Sequence, residues 1–253
     1  MITISNMKAG YGGSPVISVP SLEIKKGCIT GIIGKNGSGK STLIKAIDTQ
    51  IKYSGSIMID DNNLNDLSHI ERACRIAYLP QHLNIVRMKV ETLVSHGRYA
   101  YTTISHNLSS SDIDKIEYAM ELTDITNLGN RYLEELSGGE RSRVYLAMVI
   151  AQDSDYILLD EPTSDYDISH QNMIINILKK LLEDNKGIVI CSHDIPLALT
   201  VCDSIVMIRD GNILATKTPS KLIEDDSMLR ECVDVGVAIS KREDSLYRYQ
   251  LIR

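Results

Sequence analysis

The chain has 253 residues and a formal net charge of -6 at pH 7, which excludes a nucleic-acid binder that works through bulk positive charge. Its five cysteines, Cys28, Cys74, Cys191, Cys202 and Cys232, show no metal-ligand spacing and read as reduced thiols of a cytoplasmic protein. No apolar run reaches the ~18 residues of a membrane span and no signal peptide opens the chain, so work at a membrane would need other subunits to cross it.

In chain order, "MITISNM" alternates like a half-buried strand. Tyr11, in "AGYGG", suits either a ring that stacks on adenine or an ordinary turn tyrosine. "CITGIIG" (28–34) is a short apolar run without alternation, as expected of a strand buried on both faces of a parallel sheet. It runs into "GKNGSGKST" (34–42), and an apolar-rich helical segment follows. The loop fits G-x-x-x-x-G-K-[ST], from Gly34 through Gly39, Lys40 and Ser41. Glycines let such a loop turn its N–H groups inward around a β-phosphate. Lys40 then reaches the β- and γ-phosphates, and Ser41 offers a hydroxyl to Mg²⁺.

"GSIMID" (55–60) reads as another short strand, and "RIAYLP" (75–80) as a further buried one that delivers Gln81 to the carboxyl edge of the sheet. The middle, 86–152, lacks strand signals and reads as a helical insertion into one α/β unit. Within it, "ELSGGERSRVYLAM" (135–148) starts a helix in an unusual way. Ser137 and Glu140 form a capping box, yet Gly138 and Gly139 fill the first turn, where glycine is a poor helix former. Bare glycines leave N–H groups open to an anion at the positive end of the helix dipole.

"YILLDEPTS" (156–164) places Asp160 at the end of a buried strand, where a carboxylate is costly unless it meets a cation. Glu161, next along, can face a γ-phosphate and orient the attacking water. "GIVICSHD" ends a further apolar strand and puts His193 at the same ligand-binding edge. "SIVMIRDGNILATK" (204–217) reads as a hairpin turning at Asp210-Gly211.

Taken in order, these motifs resemble the nucleotide-binding subunit of an ABC transporter, over nearly the whole chain. Tyr11 matches the adenine-stacking aromatic, and 34–42 the Walker A loop, with Gly34, Asn36, Gly37, Ser38, Gly39, Lys40, Ser41 and Thr42 about the phosphates. Gln81 matches the Q-loop, "LSGGE" (136–140) the signature, Asp160 and Glu161 the Walker B motif with its catalytic carboxylate, and His193 the switch histidine. The resemblance implies an α/β fold with a RecA-like P-loop core, an antiparallel β-subdomain and an inserted helical subdomain. As one ABC ATPase domain, 1–85 and 153–253 would form the core and 86–152 the helical part. It implies Mg²⁺, held by Ser41, Gln81 and Asp160, with ATP as substrate. It also implies a head-to-tail pair of subunits, most simply a homodimer, in which Ser137, Gly138, Gly139 and Glu140 close on the γ-phosphate carried by the other copy.

Two departures stand out. Glu140 replaces a frequent glutamine in the signature, and its capping role can turn it back onto its own helix. In "SDYDISHQ" (164–171), Asp167 matches the acidic D-loop position, while Asp165 and Tyr166 replace small and leucine residues. "VETLVSHGRYAY" (90–101), "LAMVIAQ" (146–152) and "DISHQ" (167–171) are similar to ATPases that serve importers of iron(III)-siderophores, haem and cobalamin. This implies permease subunits in the membrane, a substrate-binding protein, a place on the cytoplasmic face of the membrane, no nucleic-acid partner, and an iron(III)-siderophore as first choice of cargo. A soluble ATPase of iron-sulfur cluster assembly and a non-hydrolysing regulatory cassette are the alternatives. Glu161 and His193 argue against the second.

Overall fold

The computed structural model describes residues 1–102, 107–162, 168–234, 236–241 and 247–252. The chain forms two compact units, Met1–Asp60 with Val189–Arg253, and Asp61–Ile188. In chain order the elements are β1 (Ile2–Tyr11), β2 (Ser14–Ile24), β3 (Ile29–Gly34), α1 (Lys40–Ile47) and β4 (Tyr53–Ile59). Then follow β5 (Asn62–Asn63), α2 (His69–Arg75), β6 (Ile76–Leu79), α3 (Val90–Ser95), α4 (Ser110–Leu122), α5 (Gly138–Ala151) and β7 (Tyr156–Asp160). The rest are α6 (Ile168–Glu183), β8 (Gly187–Cys191), α7 (Ile195–Val201), β9 (Ser204–Arg209), β10 (Asn212–Lys217), α8 (Pro219–Glu224), α9 (Ser227–Val233), β11 (Gly236–Lys241) and β12 (Tyr247–Ile252).

In the first unit the strands lie in the order β4-β1-β2-β10-β9-β3-β8. β1 pairs antiparallel with β2 and β4, whereas β3 and β9 run parallel from Thr30–Ser204 to Gly34–Ile208. The two regimes meet where β10 touches β2 at the single pair Asn212–Ser18. All six positions of β3 are buried, as its unbroken apolar run predicts. β1 instead alternates, with Ile2, Ile4, Met7 and Ala9 buried, and an irregular register around Asn6 accounts for the skipped step. β9 and β10 form the hairpin expected from Asp210-Gly211, both at positive φ. Three parts of the strand set have no counterpart in the sequence reading: β2, which carries Pro15 and Pro20, the two-residue β5, and the β11–β12 hairpin, a separate two-stranded sheet.

In the second unit β6 and β7 run parallel from Ile76–Tyr156 to Leu79–Leu159. The described residues of 86–152 form helices and one isolated bridge, Lys89–Tyr132. Here α3, α4 and α5 pack together, and α5 also lies against β6. A 3-10 helix, His96–Tyr101, lies against α5 so closely that any side chain at Gly97 would strike the Met148 backbone.

Arg98 is the keystone of this packing. Only 5% exposed, it donates from Nε to Asp112 at 2.9 Å and from Nη1 to the Ala151 carbonyl at 2.8 Å, and its guanidinium lies 3.9 Å from the centroid of the Tyr101 ring. It therefore satisfies the last carbonyls of α5, at the negative end of that helix. Hydrogen bonds from Ser109, then from Arg98, hold the Asp112 carboxyl below the usual carboxylate range. A depressed acid of this kind contributes its full stability above its unfolded pKa, about 3.9, and loses it as pH falls through the folded value. Asp112→Ala should leave a buried guanidinium without its carboxylate and cost about 3–5 kcal/mol at neutral pH. The difference from the wild type should shrink below about pH 4, as urea titrations at pH 7 and at acid pH will read.

Candidate functional site

The first unit holds a phosphate cradle. β3 ends at Gly34, and α1 starts at Lys40 after a loop that turns through Gly37 and Gly39, at φ 79° and 108°. A side chain at Gly34 would meet the Ile208 carbonyl and lie 2.6 Å from Ser38 Oγ. The Gly211 N–H of the β9–β10 turn donates to the Ser38 carbonyl at 3.1 Å and braces the loop from outside. Asn36 and Gly37 are exposed, Ser41 is half-buried, and Ser38, Gly39, Lys40 and Thr42 are buried. Lys40 is 5% exposed, and Nζ donates to the carbonyls of Gly34 at 2.9 Å and Lys35 at 3.1 Å.

The cradle's chemistry fits a polyphosphate. No carboxylate pairs with the buried Lys40 ammonium among the described residues. Ser38 Oγ is buried there without a hydrogen-bond partner, which is costly unless a ligand supplies one. Lys35, exposed, pairs with Asp234 at the end of α9. Also in this unit, Tyr11 ends β1 with 53% of its surface exposed. His193 is exposed two residues beyond β8, in a segment whose Ser192 N–H bonds the Ile32 carbonyl of β3 at 3.1 Å.

The second unit carries a carboxylate pair. Parallel register brings Tyr78 of β6 to the end of β7, where its hydroxyl donates to Asp160 Oδ2 at 3.4 Å. Asp160 is 2% exposed. Glu161 follows at φ 54°, a left-handed conformation that costs a non-glycine residue about 1–2 kcal/mol. Gln81 Nε2 donates to Glu161 Oε2 at 2.8 Å, so two residues singled out 80 positions apart meet directly. Nothing local in the sequence marks Tyr78, because its role depends on the β6–β7 pairing.

Also in this unit, α5 begins with the expected capping box. The Ser137 N–H and Oγ both donate to Glu140 Oε2, at 2.8 and 2.7 Å, and the Glu140 N–H returns to Ser137 Oγ at 3.3 Å. These bonds hold the Glu140 carboxyl below the usual carboxylate range. A side chain at Gly138 would meet nothing within 4 Å, so packing within the chain gives no reason for that glycine. Asp167, with Asp165 and Tyr166, lies outside the described residues.

A Walker-type loop between a buried parallel strand and a helix, in a mixed α/β fold, defines a P-loop nucleotide-binding protein. The model of the ABC transporter family matches residues 17–164, and the chain belongs to that family. The petrobactin import ATP-binding protein YclP of Bacillus subtilis is 38% identical over 242 residues, 94% of this chain and 95% of the relative. The hemin import ATP-binding protein HmuV of Rhodococcus jostii is 33% identical over 221 residues, 87% of this chain and 75% of the relative. A solved dimeric cassette in a post-hydrolysis state, bound to ADP and Pi, is 27% identical with a TM-score of 0.76, covering 87% of this chain and 99% of that one. The fold is the RecA-like P-loop fold of ABC cassettes, and the chain is an ABC ATPase. Among the described residues no helix is long and apolar enough to cross a membrane.

Proposed function

We propose that this chain is the ATP-hydrolysing subunit of an importer for an iron(III)-siderophore. The reading rests above all on its 38% identity, across nearly its full length, to a petrobactin import ATP-binding protein. The hemin import relative, and the sequence resemblance to cobalamin importers, set the neighbouring possibilities. Two copies work as a homodimer on the cytoplasmic face of the membrane, bound to permease subunits that a substrate-binding protein loads. Tyr99 and Tyr101, 53% and 38% exposed beside the buried Arg98, offer aromatic surface for a permease.

Each residue then has a task. The loop 34–42 wraps the phosphates, Lys40 turns from its two carbonyls to the β- and γ-oxygens, and Ser38 Oγ gains a partner. Ser41, Gln81 and Asp160 would hold Mg²⁺, and the ion would supply neutralisation of charge on the phosphates. Glu161 accepts the proton of the attacking water, and Gln81 steadies its carboxylate. His193 stands by the γ-phosphate. Tyr11 stacks on the adenine. Ser137, Gly138 and Gly139 receive the γ-phosphate of the opposite copy, while Glu140 stays turned onto Ser137. Asp167 lies at the seam.

Transport tests the cargo. Cells lacking this chain should lose uptake of labelled iron(III)-siderophore, and a plasmid copy should restore it where a Glu161→Gln copy does not. Loss confined to haem or cobalamin would reassign the cargo.

Gly138→Val tests the signature. Valine and glycine are both modest helix formers and the space is open, so the melting temperature should move by no more than a few degrees. A branched side chain should nevertheless block an anion, and turnover should fall at least tenfold. Unchanged ATPase activity would remove Gly138 from the trans contact.

A further inference from the structure

Beside Tyr11 the first unit opens a cleft of about 630 Å³ that Tyr53 also lines. β1 and β4 bring the two rings together. Ala9 of β1 faces Tyr53 of β4 in antiparallel register, so their side chains share one face of the sheet. Tyr11 lies two residues beyond Ala9 and falls on that face as well. The irregularity near Ala9 leaves Val16 of β2 as the extra residue, so the alternation of β1 is intact. Tyr53 and Tyr11 are therefore diagonal neighbours, about 7–8 Å apart at the backbone. A planar ring held in contact on both sides at ~3.5 Å needs a slot about 7 Å wide.

The slot lies where a nucleotide base would arrive. The phosphate cradle abuts β2, because a side chain at Gly39 would stand 3.2 Å from Ile17 Cδ1 and 3.4 Å from the Val16 carbonyl. The strand order continues outward from β2 to β1 and then β4. Tyr11 and Tyr53 thus follow in turn, within two strand spacings, about 10 Å, of the cradle's flank. The Gly12-Gly13 turn beside them, at φ 62° and 91°, leaves open space where side chains would stand. Tyr11 is more than half exposed and Tyr53 half-buried, so a ring that entered the cleft would cover both.

We infer that Tyr53 is a second wall of the base site, so that adenine enters between two tyrosines instead of resting on Tyr11 alone. The inference rests on the reading of 34–42 as the triphosphate cradle. It makes Tyr53 a specificity-determining residue, which favours the larger π-surface of purines over that of pyrimidines.

The test compares MgATP with inorganic triphosphate, which has no base. Titration calorimetry of the full chain should show Tyr53→Leu weakening MgATP roughly tenfold, as loss of one stacking face predicts. Triphosphate should bind as to the wild type, and Tyr53→Phe should retain MgATP affinity. Because the chain has no tryptophan, Tyr53→Trp also gives a single reporter, which MgATP should quench and triphosphate should not. Wild-type MgATP affinity in Tyr53→Leu, equal losses for both ligands, or a tryptophan blind to ATP would overturn the second wall. A wild-type chain that bound neither ligand would instead overturn the cradle, and the slot with it.

Discussion

Lys40→Ala should abolish detectable MgATP binding while leaving the empty protein folded. The wild-type ammonium is buried against two backbone carbonyls and pairs with no carboxylate among the described residues, so its removal breaks no internal ion pair. With nucleotide bound, the same group supplies at least two charge-assisted hydrogen bonds. At about 1.5–3 kcal/mol each, their loss weakens binding by roughly 10²–10⁴-fold. Thermal shift without ligand should agree with the wild type to within a few degrees. The stabilisation that saturating MgATP gives the wild type should vanish in the variant. Near-normal affinity by calorimetry would mean that the cradle is a structural turn. A large fall in unliganded melting temperature would mean that Lys40 serves chiefly to knit the loop to Gly34 and Lys35.

Glu161→Gln should separate binding from chemistry. The amide keeps the shape of the side chain and can still accept the Gln81 hydrogen bond, but it takes no proton from water. General-base removal typically costs 10²–10⁴ in rate, so phosphate release should fall by that factor with MgATP affinity unchanged. Dimers held by ATP should then persist. Light scattering should find a monomer without nucleotide and a lasting dimer with MgATP, whereas the wild type should return to monomer as ATP is consumed. Full turnover by the variant would remove Glu161 from the proton-accepting role. A variant that stayed monomeric at saturating MgATP would point to a permease requirement for pairing.

The parts legible in the sequence were those written in contiguous residues. The loop 34–42 and the apolar runs that became β3, β7 and β8 need no distant partner to be recognised. The Ser137–Glu140 capping box is equally local, and its glutamate turned back onto its own helix as its spacing implied. β2 was hidden because Pro15 and Pro20 interrupt any strand signal. Its register shows how they are tolerated: Pro15 pairs with Gly10 next to the irregular step, and the ladder against β1 passes from Val19 to Ser21 over Pro20. Long-range pairing was equally out of reach. The Tyr78–Asp160 bond depends on β6–β7 register, and the diagonal of Tyr11 and Tyr53 on β1–β4 register. The Asp210-Gly211 pair signals a hairpin, but nothing local signals that its turn braces Ser38. Within "VETLVSHGRYAY", one of the strings that carry the importer resemblance, Gly97 and Arg98 are committed to packing against α5.

The backbone of Glu161 carries a consequence for how this chain can be improved or lost. Its φ of 54° suits asparagine or glycine far better than glutamate. Glu161→Asn should therefore raise the melting temperature while ending turnover. Heat tolerance and hydrolysis pull in opposite directions at this one codon. A library ranked on thermal survival alone would enrich inactive sequences here, and only a screen that also scores phosphate release would keep the glutamate.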